Sequence, residues 1–191
     1  MLPTQELLEK IYQLWQRDNV PNISRENALY LRKLIQSSWA KTILEIGTAH
    51  GYSCIHFADQ VCKIWGHVTT IEFSQIAYEI AAENIAQSGV SDCISQYFWD
   101  AREIIPFLEA SYDFIFIDGL KKASLDFLKL VWNKRNPWAI IVIDDVIKFR
   151  YKMENLYAYL EQEKIDYEIQ QIDADDGIMI IRSLENRKNE K

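Results

Sequence analysis

The sequence predicts an α/β fold: a seven-stranded, mostly parallel sheet with a C-terminal antiparallel hairpin and an N-terminal helical extension. Three observations carry that expectation. Phe114–Ile117 and Ile140–Ile143 are almost wholly apolar and rich in β-branched and aromatic residues, as central strands buried on both faces are. From Thr42 onward, strand-like and helix-like patterns alternate. Near the end, residues 165–172 and 177–182 are strand-like with no helix between them, which reads as a hairpin turning around Asp173 to Gly177.

The elements follow in order. Leu7, Leu8, Ile11, Leu14 and Trp15 recur at helical spacing, so residues 4–17 form an amphipathic helix. A break at residues 19–22 precedes Ser24, the expected N-cap of a second helix whose apolar stripe includes Leu31, Leu34 and Ile35. Strands are expected at 42–46, 67–72, 93–98, 112–117 and 138–143, and helices at 52–62, 75–88, 101–110, 123–134 and 151–163. Residues 1–191 read as a single domain, with 1–38 as the helical extension and 185–191 as a charged, fraying tail.

With 49% hydrophobic residues, the 191-residue chain can bury a substantial core. A net charge of -7 without a basic stripe argues against a general nucleic-acid binder. Cys54, Cys62 and Cys93 make an odd count with no CxxC pair, which reads as reduced thiols in an intracellular protein. Neither a signal-peptide pattern nor a membrane-length apolar run is present, so a cytoplasmic protein with no membrane partner is expected.

Both apolar runs end in aspartate: Asp118 after the first, Asp144 and Asp145 after the second. Carboxylates placed where parallel strands stop emerge at the carboxyl edge of the sheet, where open α/β folds bind ligands. Three hard oxygen donors gathered there make a candidate divalent-cation site. The first strand leads into Gly47-Thr48-Ala49-His50-Gly51, which lets the backbone turn sharply and feeds a helix N-terminus with free N–H groups. The second strand ends in Glu72, placed to accept hydrogen bonds from two ribose hydroxyls. The loop is not GxGxxG, which weakens a dinucleotide reading.

Residues 43–53, Val68–Glu72, Asp100–Pro106, Tyr112–Asp118, Lys121, Ile143–Asp145 and Asp176-Gly177 together resemble class I S-adenosylmethionine-dependent methyltransferases. More narrowly, they resemble the cation-dependent O-methyltransferases of the caffeoyl-CoA and catechol type, over about Val20 to Arg182. The resemblance implies a Rossmann-like fold, S-adenosylmethionine as cofactor, and a homodimer. It implies that Gly47 and Thr48 pack against the cofactor with Glu45 just beneath, and that Ser53 bonds the methionine carboxylate. Glu72 would hold the ribose, with Phe73 beside the adenine and Asp100 and Ala101 along its edge. Asp118 would border both cofactor and acceptor.

Asp118, Asp144 and Asp145 match the family's metal ligands, the third commonly being Asn there. The resemblance implies Mg²⁺, with Mn²⁺ or Ca²⁺ as alternatives, bound to the acceptor oxygen to lower its pKa. Lys121 matches the catalytic lysine, and beside a metal and a sulfonium its pKa is expected to fall to that of a general base. The chain departs from the pattern at Trp99, Ser124, Asn136-Pro137-Trp138-Ala139 and Val146–Arg150, around the acceptor pocket and adenine edge.

The first reading is therefore a metal-dependent O-methyltransferase acting on a small, catechol-like acceptor. A close rival methylates a wobble hydroxyuridine in tRNA, with Lys148, Arg150 and Lys152 as a small basic patch beside the site. Two other classes are a non-catalytic S-adenosylmethionine-binding protein and an NAD-dependent oxidoreductase. The intact Asp118, Lys121, Asp144 and Asp145 set argues against the first, and the missing GxGxxG against the second.

Overall fold

The computed structural model describes residues 4–18, 22–174 and 176–182. The expected tail, the residues 19–21 of the first break and Asp175 of the hairpin turn lie outside them. The described residues form helices α1 (Thr4–Asp18) and α2 (Arg25–Ser37), then β1 (Thr42–Ile46), α3 (Tyr52–Val61), β2 (His67–Glu72), α4 (Gln75–Gln87) and β3 (Ile94–Phe98). They continue through α5 (Ala101–Ile104), β4 (Tyr112–Ile117), α6 (Ser124–Val131), β5 (Arg135–Ile143), α7 (Glu154–Gln162), β6 (Glu168–Gln171) and β7 (Gly177–Arg182). Ser24 caps α2 by accepting the Asn27 N–H.

The seven strands lie in the order β3-β2-β1-β4-β5-β7-β6, and β7 alone runs against the other six. Ile46, Ile71, Ile117 and Ile143 lie level across four parallel strands. The residues that follow them, Gly47, Glu72, Asp118 and Asp144, therefore leave the sheet together at one edge. The chain reverses its winding between β1 and β4, and that switch point opens a crevice at the carboxyl ends.

Alternation along the strands divides the core. Ile43, Phe114, Phe116, Val142 and Ile180 face α1 to α4, where Phe57 meets both phenylalanine rings edge-on. Leu44, Ile115, Ile117, Ile143 and Met179 face α5 to α7. A buried side chain of this size contributes roughly 2–3 kcal/mol.

Several elements differ from expectation for local reasons. The helix expected at 101–110 stops at Ile104 and becomes a 3-10 turn over Ile105–Phe107, because Pro106 has no N–H to continue the ladder. Residues 121–123 and 132–134 are likewise 3-10 turns, so α6 is shorter than the 123–134 pattern. The strand expected at 138–143 starts at Arg135. A register shift between Tyr112 and Phe114 leaves room for Pro137 there, and Asn136 donates to Asp113 Oδ1 at 2.7 Å. The helix expected at 151–163 begins only at Glu154, after a 3-10 turn. β6 is short and fully exposed, as an edge strand. The expectation of three thiols is corrected: Cys62 and Cys93 form a disulfide with Cα atoms 5.6 Å apart, and only Cys54 is free and buried. Among the described residues no helix is long and apolar enough to cross a membrane.

Candidate active site

A cleft of about 1040 Å³ opens along the carboxyl edge of the sheet. One end is built by the loop after β1. Gly47 has φ +99, and a Cβ there would stand 2.7 Å from the Asp118 carbonyl oxygen, so only glycine lets β1 and β4 exits come this close. The Glu72 carboxylate ties the loop to the next helix, accepting the Ala49 N–H and the Ser74 N–H at 2.8 Å each. Ala49, Glu72, Phe73, Asp100 and Ala101 all line the cleft, and Phe73 is exposed. Asp100 caps α5 and is gripped by the Arg102 guanidinium, which holds its carboxyl below the usual value.

Three expected cofactor residues lie beneath that loop and do not line the cleft. Ser53 donates to Glu45 Oε1 at 2.5 Å instead of presenting its hydroxyl to a ligand. Thr70 donates to Glu45 Oε2 at 2.6 Å, and the Thr48 and Thr70 hydroxyls are 2.5 Å apart. Burial pushes the Glu45 carboxyl up to about 7, against the lowering by these two hydroxyl donors.

At the other end, the three aspartates do converge, and Lys121 stands among them. Its ammonium is 2.6 Å from Asp118 Oδ1 and 2.8 Å from Asp145 Oδ2. Asp144 Oδ1 instead accepts from Asn27 Nδ2 at 3.0 Å, a contact across 117 residues. Burial raises the Asp118 and Asp144 carboxyls, Asp144 well above the ordinary value. For Asp145 burial is outweighed, chiefly by Lys121, and the carboxyl is held low. Burial alone would lower Lys121, but the charges of Asp118, Asp144 and Asp145 prevail and raise it. Without cation or cofactor, then, the three carboxylates favour the ammonium form of Lys121, and the fall expected of it belongs to the loaded site.

The described residues contain no group of three His, Cys, Asp or Glu side chains already arranged to hold a metal ion. The donor chemistry nevertheless suits a divalent cation. With all three ionised, the carboxylates less one ammonium leave two negative charges, and all the oxygens are hard donors.

Comparison with known proteins places this architecture. Residues 3–184 match the family model described as O-methyltransferase. The chain belongs to the O-methyltransferase family. It is similar to a catechol O-methyltransferase of Mycobacterium tuberculosis, 29% identical over 127 residues, covering 66% of this chain and 57% of that protein. A catechol O-methyltransferase of Niastella koreensis is 30% identical over 131 residues, covering 66% and 59%. The chain thus spans less than two thirds of the length of these relatives. Among solved structures, the fold is shared by the O-methyltransferase TomG of Streptomyces achromogenes, involved in tomaymycin synthesis and solved in complex with SAM. TM-score is 0.84 and identity 24%, covering 93% of this chain and 90% of that one.

In this family member the N-terminal segment also reaches the site, which sequence patterns did not reveal. Trp15 and Asn22 line the cleft, and Asn27 supports Asp144, while Phe149 and Lys152 line it from the segment already expected beside the acceptor pocket. One signal was available for Asn27. It sits four residues before Leu31 on the apolar stripe of α2, and a polar residue on a buried face needs a partner.

Proposed function

We propose that the chain binds S-adenosylmethionine at the glycine-loop end of the cleft and transfers its methyl group to a hydroxyl of a small, catechol-like acceptor at the carboxylate end. One observation carries this reading: the loop from Gly47, the Glu72 carboxylate and the Asp118–Lys121–Asp144–Asp145 centre open on a single cleft at the sheet's switch point. Family membership and the SAM complex of TomG support it.

The acceptor oxygen attacks the methyl carbon in line while the carbon–sulfur electron pair returns to sulfur, so alignment supplies much of the rate. Glu72 and the neighbouring Phe73 would orient the ribose and adenine, and Asp100 with Ala101 the adenine edge. Lys121, being charged, steadies negative charge on the acceptor oxygen. The hydroxyl proton leaves to water in the open cleft, because carboxylates that hold the cation are not free to take it. Asp118, Asp144 and Asp145 would hold a divalent cation, Mg²⁺, Mn²⁺ or Ca²⁺, which when bound makes the acceptor hydroxyl more acidic.

Calorimetry with S-adenosylmethionine against NAD tests the cofactor assignment. Heat with NAD and none with S-adenosylmethionine would sink it. Turnover assayed with and without chelator tests the metal, and full activity in chelator removes it from the reading.

A further inference from the structure

The segment after β5 carries a feature that methyl transfer alone does not require. The Phe149 N–H donates to the Asp145 carbonyl at 3.2 Å, and the Lys152 N–H to the Phe149 carbonyl at 2.8 Å. Residues 146–152 thus fold as successive turns, entered through the left-handed backbone of Asp145 at φ 60. Asp145, Phe149 and Lys152 all line the same cleft, so a carboxylate, an aromatic ring and an ammonium face one cavity.

The Lys152 ammonium rests 4.5 Å from the Phe149 ring centroid and 5.5 Å from that of Tyr151. Ring contact fixes its position without neutralising its charge. Lys152 joins no ion pair among the described residues, and neither does exposed Lys122 on the same cleft. The other cations differ: Arg102 is held by Asp100, and Lys121 by Asp118 and Asp145. Both ammonium groups thus face the cleft without a carboxylate partner among the described residues.

We propose that the acceptor is a hydroxyaryl acid. Its hydroxyl lies at the aspartates, its ring against Phe149, and a carboxylate on a short arm at Lys152, with Lys122 adding positive charge to the same cleft. This rests on the methyltransferase reading of the cleft. A tRNA is the poorer fit, because a polyanion needs a stripe of cations along its backbone.

A charge series of nearly constant shape tests the proposal: 3,4-dihydroxyphenylacetate, 2-(3,4-dihydroxyphenyl)ethanol and dopamine. Wild type should favour the acid over the alcohol about tenfold in kcat/KM, with dopamine last. Lys152→Arg should keep that order. Lys152→Gln should bring the acid and alcohol within about twofold, and Lys152→Glu should invert them, with circular dichroism confirming the fold of each. Equal kcat/KM across the series in wild type, or an acid preference surviving Lys152→Gln, overturns the proposal while leaving methyl transfer intact. Methylation of a tRNA hydroxyuridine with all three catechols inert overturns the acceptor class. No methylation together with no heat from S-adenosylmethionine overturns the underlying reading as well.

Discussion

Two buried acidic clusters lie at the carboxyl end of this sheet, and they are accommodated in opposite ways. Glu45 is enclosed by hydroxyls: Ser53 and Thr70 each donate to one of its oxygens, and no cation bonds it. Asp118, Asp144 and Asp145 gather round the Lys121 ammonium and open on the cleft. Hydroxyl donors can hold a carboxyl in either protonation state, so the Glu45 cluster works as a support beneath the glycine loop. An ammonium among three carboxyl groups makes a polar centre whose remaining oxygens are available to a ligand. The contrast separates a buried acid that shapes a loop from buried acids that do chemistry.

The largest effect is expected from removing the ammonium. Lys121→Met should lower turnover by about 10³-fold, the scale of losing one group that stabilises developing charge, while heat of cofactor binding persists. Retained turnover would make Lys121 a structural counter-ion like any other.

Glu45 should show its difference in stability. Its carboxyl rises from 4.5 to about 7 on folding, so the folded state holds the proton more tightly than the unfolded chain. The stabilisation is complete below pH 4.5, declines as pH rises, and is lost above about 7. The swing is about 3 kcal/mol, from 1.36 kcal/mol per unit. Glu45→Gln should flatten the denaturation midpoint over that window. An unchanged slope would mean that another group sets it.

Cys62→Ser provides a control remote from both clusters. The disulfide joins the turn after α3 to the turn before β3, at the opposite edge from the cleft. Stability should fall by about 4 kcal/mol, as expected for a closed loop of this length, with kcat unmoved. A fall in kcat would tie that edge to the site.

The smallest effect is expected at Asn27. Asn27→Ala removes the hydrogen bond to Asp144, at a cost of about 1–2 kcal/mol. It should also shift the acidic limb of the pH–rate profile, which a purely structural loss would leave in place. Asn27→Asp, which places a fourth carboxylate beside the centre, should be worse than alanine.

Much of this was legible in the chain. β1, β2, β4 and β7 have the expected bounds, because apolar runs bounded by turn residues leave little choice of register. Asp118, Asp144 and Asp145 were found by where those runs stop. The disulfide was not legible, since a separation of 31 residues carries no local signal. The charge state of Lys121 without cation or cofactor was not legible for a related reason. Burial and three neighbouring carboxylates oppose one another, and only their distances decide which prevails. Trp15 and Asn22 reach the cleft, and Asn27 reaches Asp144, through tertiary packing that no short pattern encodes, whereas Lys152 was legible as part of a basic patch beside the site.

The most direct measurement follows a labelled methyl group from S-adenosylmethionine into 3,4-dihydroxyphenylacetate, with Asp144→Ala run alongside. Wild type should form the labelled methyl ether, and the variant should bind the cofactor but form none. Label missing from the wild-type product, or equal label in both, would contradict the account.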